Sequence, residues 1–61
     1  MKFVIVLADQ FTGGWWNGEK MTFRSKEAKI YCTREEAEVV RNTVTAARPW
    51  STVYIRTVYG W

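Results

Sequence analysis

Four stretches of the chain carry a regular hydrophobic pattern. Lys2-Phe3-Val4-Ile5-Val6-Leu7-Ala8 is apolar at both parities and rich in β-branched residues. A run that is apolar on both faces predicts a strand in the middle of its sheet. Ala28-Lys29-Ile30-Tyr31-Cys32 alternates at period two and predicts a second strand. At Thr33 the spacing becomes helical. Ala37, Val40, Val44 and Ala47, with Val39 alongside, form a narrow stripe of small side chains suited to close packing on a sheet. Thr33 is a good N-cap, and Glu36 three residues on completes a capping box. Glu35, Glu36 and Glu38 crowd the first turns, where the helix dipole favours anions, and Arg41 and Arg48 lie toward the other end. Pro49 stops the helix. Ser51 to Tyr59 alternates again and predicts a third strand, with Gly60-Trp61 as a tail.

The intervening segments are polar or turn-like. Asp9-Gln10 ends the first run. Thr12 to Glu19 holds Gly13-Gly14 and Asn17-Gly18, strong turn dipeptides, around Trp15 and Trp16. Met21-Thr22-Phe23 begins an extended piece, which Arg24-Ser25-Lys26-Glu27 interrupts. The element order is β-β-α-β. A right-handed crossover sets strand three parallel to strand two with room for one strand between them. The predicted fold is a single α+β domain over residues 1–61. Its three-stranded antiparallel sheet has the order 2-1-3, with the helix on one face.

Strand periodicity also assigns faces. Phe3, Ile5, Leu7, Ala28, Ile30, Cys32, Val53 and Ile55 are expected under the helix. Lys2, Val4, Val6, Ala8, Lys29, Tyr31, Tyr54, Arg56 and Val58 are expected on the opposite, open face.

Composition sharpens this picture. Sixty-one residues bury only about 60% of their unfolded surface, so the core is thin. The chain is nonetheless 48% hydrophobic and 16% aromatic, with four tryptophans, whose large rings cover much area per residue. One cysteine makes no internal disulfide, and without histidine it builds no zinc site. Cys32 is expected as a small strand hydrophobe. No cofactor or metal is implied. Nor is an enzyme: Ser25 and Ser51 lack a nucleophile elbow, and three of the six acids belong to the helix start. Asp9 and Glu27 can meet near one sheet end, but so small a domain offers no concave pocket to shift their pKa values. Gly13-Gly14 lacks the lysine and helix start of a phosphate loop. Phe3 to Ala8 is too short for a leader's apolar region or a membrane span, so a soluble, cytoplasmic protein is expected.

Two features point to binding. Adjacent Trp15 and Trp16 in a turn segment are candidate contact residues, one of them facing the core if the segment is extended. Trp50, after Pro49, reads as structural. On the open face, Val4, Val6, Tyr31, Tyr54, Arg56 and Val58 combine an apolar centre with rings and a cation. Such a patch favours a protein partner or self-association. The runner-up is single-stranded nucleic acid, with Tyr31 and Tyr54 stacking bases and Lys29 and Arg56 on phosphates. The net charge of +3 allows this. Lys2, Lys20, Arg24, Lys26, Lys29 and Arg56 against Asp9, Glu19 and Glu27 place the whole excess outside the helix.

The strand Ala28-Lys29-Ile30-Tyr31, followed by Thr33-Arg34-Glu35-Glu36-Ala37-Glu38 opening a helix, resembles short accessory proteins of bacteriophages and prophages. These begin with a strand of the Lys-Phe-Val-Ile-Val type, carry tryptophan near the first turn and end in a valine-rich strand. The resemblance runs over most of the chain and carries over no functional residue. It implies a phage accessory protein, a class that includes inhibitors of host defence. Known inhibitors of that kind are often acidic mimics of nucleic acid, a mechanism that a basic chain does not suit.

Overall fold

A computed structural model describes residues 1–9 and 12–59. The elements in order are β1 (Lys2–Ala8), β2 (Gly13–Trp16), β3 (Met21–Thr22), a 3-10 turn (Ser25–Glu27), α1 (Arg34–Ala47) and β4 (Thr52–Val58). The architecture is α+β, with one helix and an antiparallel sheet, as the periodicity predicts. The sheet has four strands rather than three, in the order β3-β2-β1-β4. β1 has antiparallel neighbours on both edges, and β4 pairs with it along its full length, from Lys2↔Val58 to Ala8↔Thr52.

The difference lies in the expected second strand. Only Tyr31 of Ala28–Cys32 reaches the sheet, in an isolated bridge to Phe3 held by backbone hydrogen bonds of 2.9 and 2.8 Å. The edge of β1 is shared instead. β2 pairs with its far half through Val6↔Trp15, Leu7↔Gly14 and Ala8↔Gly13. β2 then diverges, the Trp16 carbonyl accepts from Lys29 N–H at 2.9 Å, and the chain at 29–31 takes over beside Phe3.

Gly13-Gly14 is therefore strand and not turn. The turn falls at Asn17-Gly18-Glu19-Lys20. There the Asn17 carboxamide oxygen accepts from Glu19 and Lys20 N–H, both at 2.8 Å, and Asn17 N–H donates to the Lys20 carbonyl. Gly18 takes φ +105°, a conformation that glycine adopts without a Cβ clash.

α1 starts where the sequence predicts, with the Thr33 hydroxyl accepting from Glu36 N–H at 3.2 Å. It ends as Arg48 N–H donates to the Val44 carbonyl, one residue before Pro49. Its buried stripe is narrower than expected. Ala37 and Val44 are buried and Val40 half-buried, whereas Ala47 and Val39 face solvent.

Apolar residues gather on both sides of the sheet. On the helix side, Ala37 and Val44 of α1 pack on Ile5, Leu7, Tyr31 and Val53, with Phe3, Trp16, Met21, Val40 and Ile55 around them. On the opposite side lie Val4, Ala28 and Val58, flanked by Val6, Trp15 and Ile30. The expected faces of β1 and β4 are thus correct, whereas Ala28, Ile30 and Tyr31 lie on the opposite side from the one expected. Ala28 and Ile30 lie on the side away from the helix, Tyr31 is in the helix-side core, and Cys32 is exposed. Ala28–Cys32 does not form the expected strand, so its alternation sets no register on the sheet: only Tyr31 pairs, and it lies in the helix-side core. Trp50 is exposed, its ring stacked under the Arg48 guanidinium at 5.4 Å, and Trp61 lies outside the described residues.

Candidate functional site

The face away from α1 is divided in two. Its lower half is closed by the chain between the 3-10 turn and α1, where Ala28 and Ile30 pack on Val4 and Val58. Val4 is 0% exposed and Val58 6%. Neither contributes to a contact surface, which corrects the expectation of a fully open face. Tyr31 leaves that surface as well. It is 6% exposed on the helix side, where burial first, and the Glu36 carboxylate second, raises its phenol pKa above the usual tyrosine value.

The upper half remains accessible. Register aligns Thr22, Trp15, Val6 and Tyr54 in one row across all four strands. Side chains directly opposite one another on antiparallel strands share a face. Strands about 4.8 Å apart make this row about 14 Å wide. Trp15 and Val6 are half-buried, and Tyr54 is 44% exposed. Arg56, exposed one pleat below Tyr54 on β4, puts a cation at the margin of the row. At the other margin the Thr22 hydroxyl donates to Glu27 Oε1 and accepts from Arg24 N–H, both at 3.2 Å, and Arg24 pairs with Glu27 at 3.7 Å. Thr22 is itself buried, 8% exposed, so it closes the row without adding contact surface; a two-residue strand is too short to show a period in the sequence.

The two tryptophans separate as adjacent strand residues must. Trp16 packs half-buried against the helix-side core, in register with Met21. Trp15 belongs to the outer row. Of the eight residues proposed for partner contact, the structure thus brings together Trp15, Val6, Tyr54 and Arg56. It buries Val4, Tyr31 and Val58, and it turns Trp16 to the other side.

The group proposed for nucleic acid is not assembled either. Lys29 is exposed, but its aliphatic stem passes the Gly18 turn, and Tyr31 faces the helix, so only Tyr54 and Arg56 remain neighbours. Asp9 accepts from both the Thr12 N–H and hydroxyl at 2.7 Å, and Glu27 is engaged by Thr22, so each acid has a local structural partner. No three His, Cys, Asp or Glu side chains gather into a potential metal site among the described residues. No helix among them is long and apolar enough to cross a membrane.

No family model, curated protein or solved structure matches this chain.

Proposed function

We propose that this chain is a small non-enzymatic binding protein, a phage accessory protein as its resemblance implies. Its contact surface is the outer row of Trp15, Val6 and Tyr54 with Arg56 beside it, and the partner is a protein. The observation that carries this reading is the register Trp15↔Val6↔Tyr54. It holds two partly exposed rings around an aliphatic centre on paired strands, so little ordering entropy is lost on contact. Tryptophan, tyrosine and arginine are the residues that dominate protein interfaces. An apolar centre between the rings suits a protein surface better than stacked bases, which need no valine. The burial of Tyr31 also weighs against nucleic acid, since it removes one of the two rings that reading relied on.

The test is a capture experiment from bacterial lysate with tagged wild type, Trp15→Ala, Tyr54→Ala and the control Val39→Lys on the outer face of α1. A protein retained by wild type and the control, but lost from both face variants, supports the reading. A retained set indifferent to Trp15 and Tyr54 refutes it. The nucleic-acid alternative predicts tryptophan quenching by a short single-stranded oligonucleotide at low salt, reversed by salt and absent in Arg56→Glu.

A further inference from the structure

The edge of β4 is a second surface, which borders the outer face at Tyr54 and Arg56. Phe3 gives both its N–H and its carbonyl to Tyr31, on the edge of β1 away from β4. Alternation along an antiparallel ladder therefore aims the backbone groups of Lys2, Val4, Val6 and Ala8 at β4. Their register partners Val58, Arg56, Tyr54 and Thr52 complete that ladder. Val53, Ile55 and Thr57 turn their N–H and carbonyl groups outward, and no strand lies beyond β4 among the described residues.

Exposed edges are usually blunted by shortness, proline, charged side chains (lysine above all) or a bulge. β3, at the opposite edge, has only two residues. β4 has seven, reads Thr-Val-Tyr-Ile-Arg-Thr-Val with no proline and a single charge, Arg56, whose side chain lies on the outer face, and pairs with β1 in uninterrupted register.

We propose that β4 pairs antiparallel with β4 of a second copy of this chain, about a twofold axis at Ile55. The order of side chains selects that occupant and that register. Centring on Ile55 sets Val53 opposite Thr57 and Ile55 opposite itself. These pairs make roughly six backbone hydrogen bonds with all seven residues overlapping. The same register sets Tyr54 opposite Arg56 of the second copy, a ring against a cation, on the face away from α1. Shifting the axis to Arg56 would place the two guanidinium groups opposite each other. Shifting it to Tyr54 would leave Thr57 and Val58 without strand partners.

The helix leaves room for this arrangement. α1 packs over β1 and β4. With strands about 4.8 Å apart, helices seated over the β1–β4 seam of each copy run about 10 Å apart, an ordinary packing distance. Trp50 and Tyr59, 66% and 75% exposed, flank β4 at its two ends, where a second sheet covers part of them.

The test combines sedimentation with residue-resolved amide exchange from roughly 1 µM to 1 mM, a span that brackets typical weak homodimers. The mass doubles from 7.2 kDa. The amides of Val53, Ile55 and Thr57 become protected in step with dimer formation, while those of Tyr54, Arg56 and Val58 are protected throughout. Thr57→Pro removes an outward N–H that the monomer's ladder does not use, and it weakens association roughly tenfold to a hundredfold. The even-numbered amides report whether that variant is still folded. Tyr54→Lys, opposite Arg56 of the second copy, weakens the dimer more than Tyr54→Glu does. A monomer at every concentration overturns the proposal. So does a dimer that leaves the three outward amides unprotected, which is the result for association through the outer face. Equal effects of Tyr54→Lys and Tyr54→Glu overturn the register.

Discussion

Adding a methyl group to Gly14 tests the hairpin that carries Trp15. A Cβ at Gly14 would stand 2.5 Å from the Thr22 carbonyl oxygen and 3.1 Å from Met21 Cγ. Ordinary contact begins at 3.4 Å, so the Cβ is 0.9 Å too close to a backbone atom that has no rotamer to change. The methionine side chain can yield, but the carbonyl moves only with β3. Relief requires β3 to separate from β2, loosening Trp15↔Thr22 and Trp16↔Met21 together. Overpacking of this kind costs about 1–3 kcal/mol. A domain of this length has roughly 3–9 kcal/mol of stability in total. A loss of about 2 kcal/mol lowers Tm by about 8–16 °C. Gly13→Ala is the control, because its Cβ meets the Leu7 carbonyl oxygen at an ordinary 3.5 Å. It should stay within about 0.5 kcal/mol of wild type, or gain slightly from a less flexible unfolded chain. Urea unfolding followed by tryptophan fluorescence measures both variants. A Gly14→Ala protein as stable as wild type, or a Gly13→Ala protein equally damaged, would show that β2 and β3 do not pack this closely.

Thr33→Ala removes the hydroxyl that accepts from Glu36 N–H and should cost about 1 kcal/mol in urea unfolding, with Thr33→Ser largely restoring it. Gly18→Ala forces a Cβ onto φ +105° and should cost about 1 kcal/mol, while Gly18→Asn, more tolerant of positive φ, should cost less. The raised Tyr31 phenol pKa predicts stability fully present below about pH 10, the unfolded value, and lost as pH rises through the folded one. Tyr31→Phe should reduce that alkaline loss, and an unchanged slope would assign it to other groups.

The parts of the fold legible in the sequence are those fixed by local chemistry. Thr33 and Pro49 bracket α1 through capping and a missing N–H, and both act within one turn. β1 declares itself by being apolar at both parities, which matches its place between β2 and β4. The parts not legible depend on which surface a segment meets. Gly13-Gly14 carries a turn signal, yet Gly14 is needed in a strand because the Thr22 carbonyl approaches where a side chain would stand. Ala28–Cys32 alternates like a strand, but a single bridge at Tyr31 and the 3-10 turn before it lay Ala28 and Ile30 on the outer side. The candidate site is legible only in part for the same reason: periodicity puts Val4 and Val58 on the correct face, but it puts Ala28 and Ile30, which cover them, on the opposite one.

A four-stranded sheet with one helix has an apolar face to spare, and this chain covers only half of it. The 28–30 segment closes over Val4 completely, while two residues along β1 Val6 stays half-buried between Trp15 and Tyr54. The open half is therefore bounded by structure rather than left by a shortage of apolar residues. It also meets the edge of β4 at Tyr54 and Arg56. Pairing of two β4 edges would place both outer rows on one face of a continuous eight-stranded sheet, with Tyr54 and Arg56 of each copy at the centre and the two Trp15 rings outside them. A symmetric partner could then engage both rows, and its apparent affinity would depend on the concentration of this chain as well as on its own. Thr57→Pro separates the two surfaces. It leaves Trp15, Val6, Tyr54 and Arg56 in place, so a partner that still binds but loses that dependence has contacted the face alone, and one that never showed the dependence has no need of the dimer.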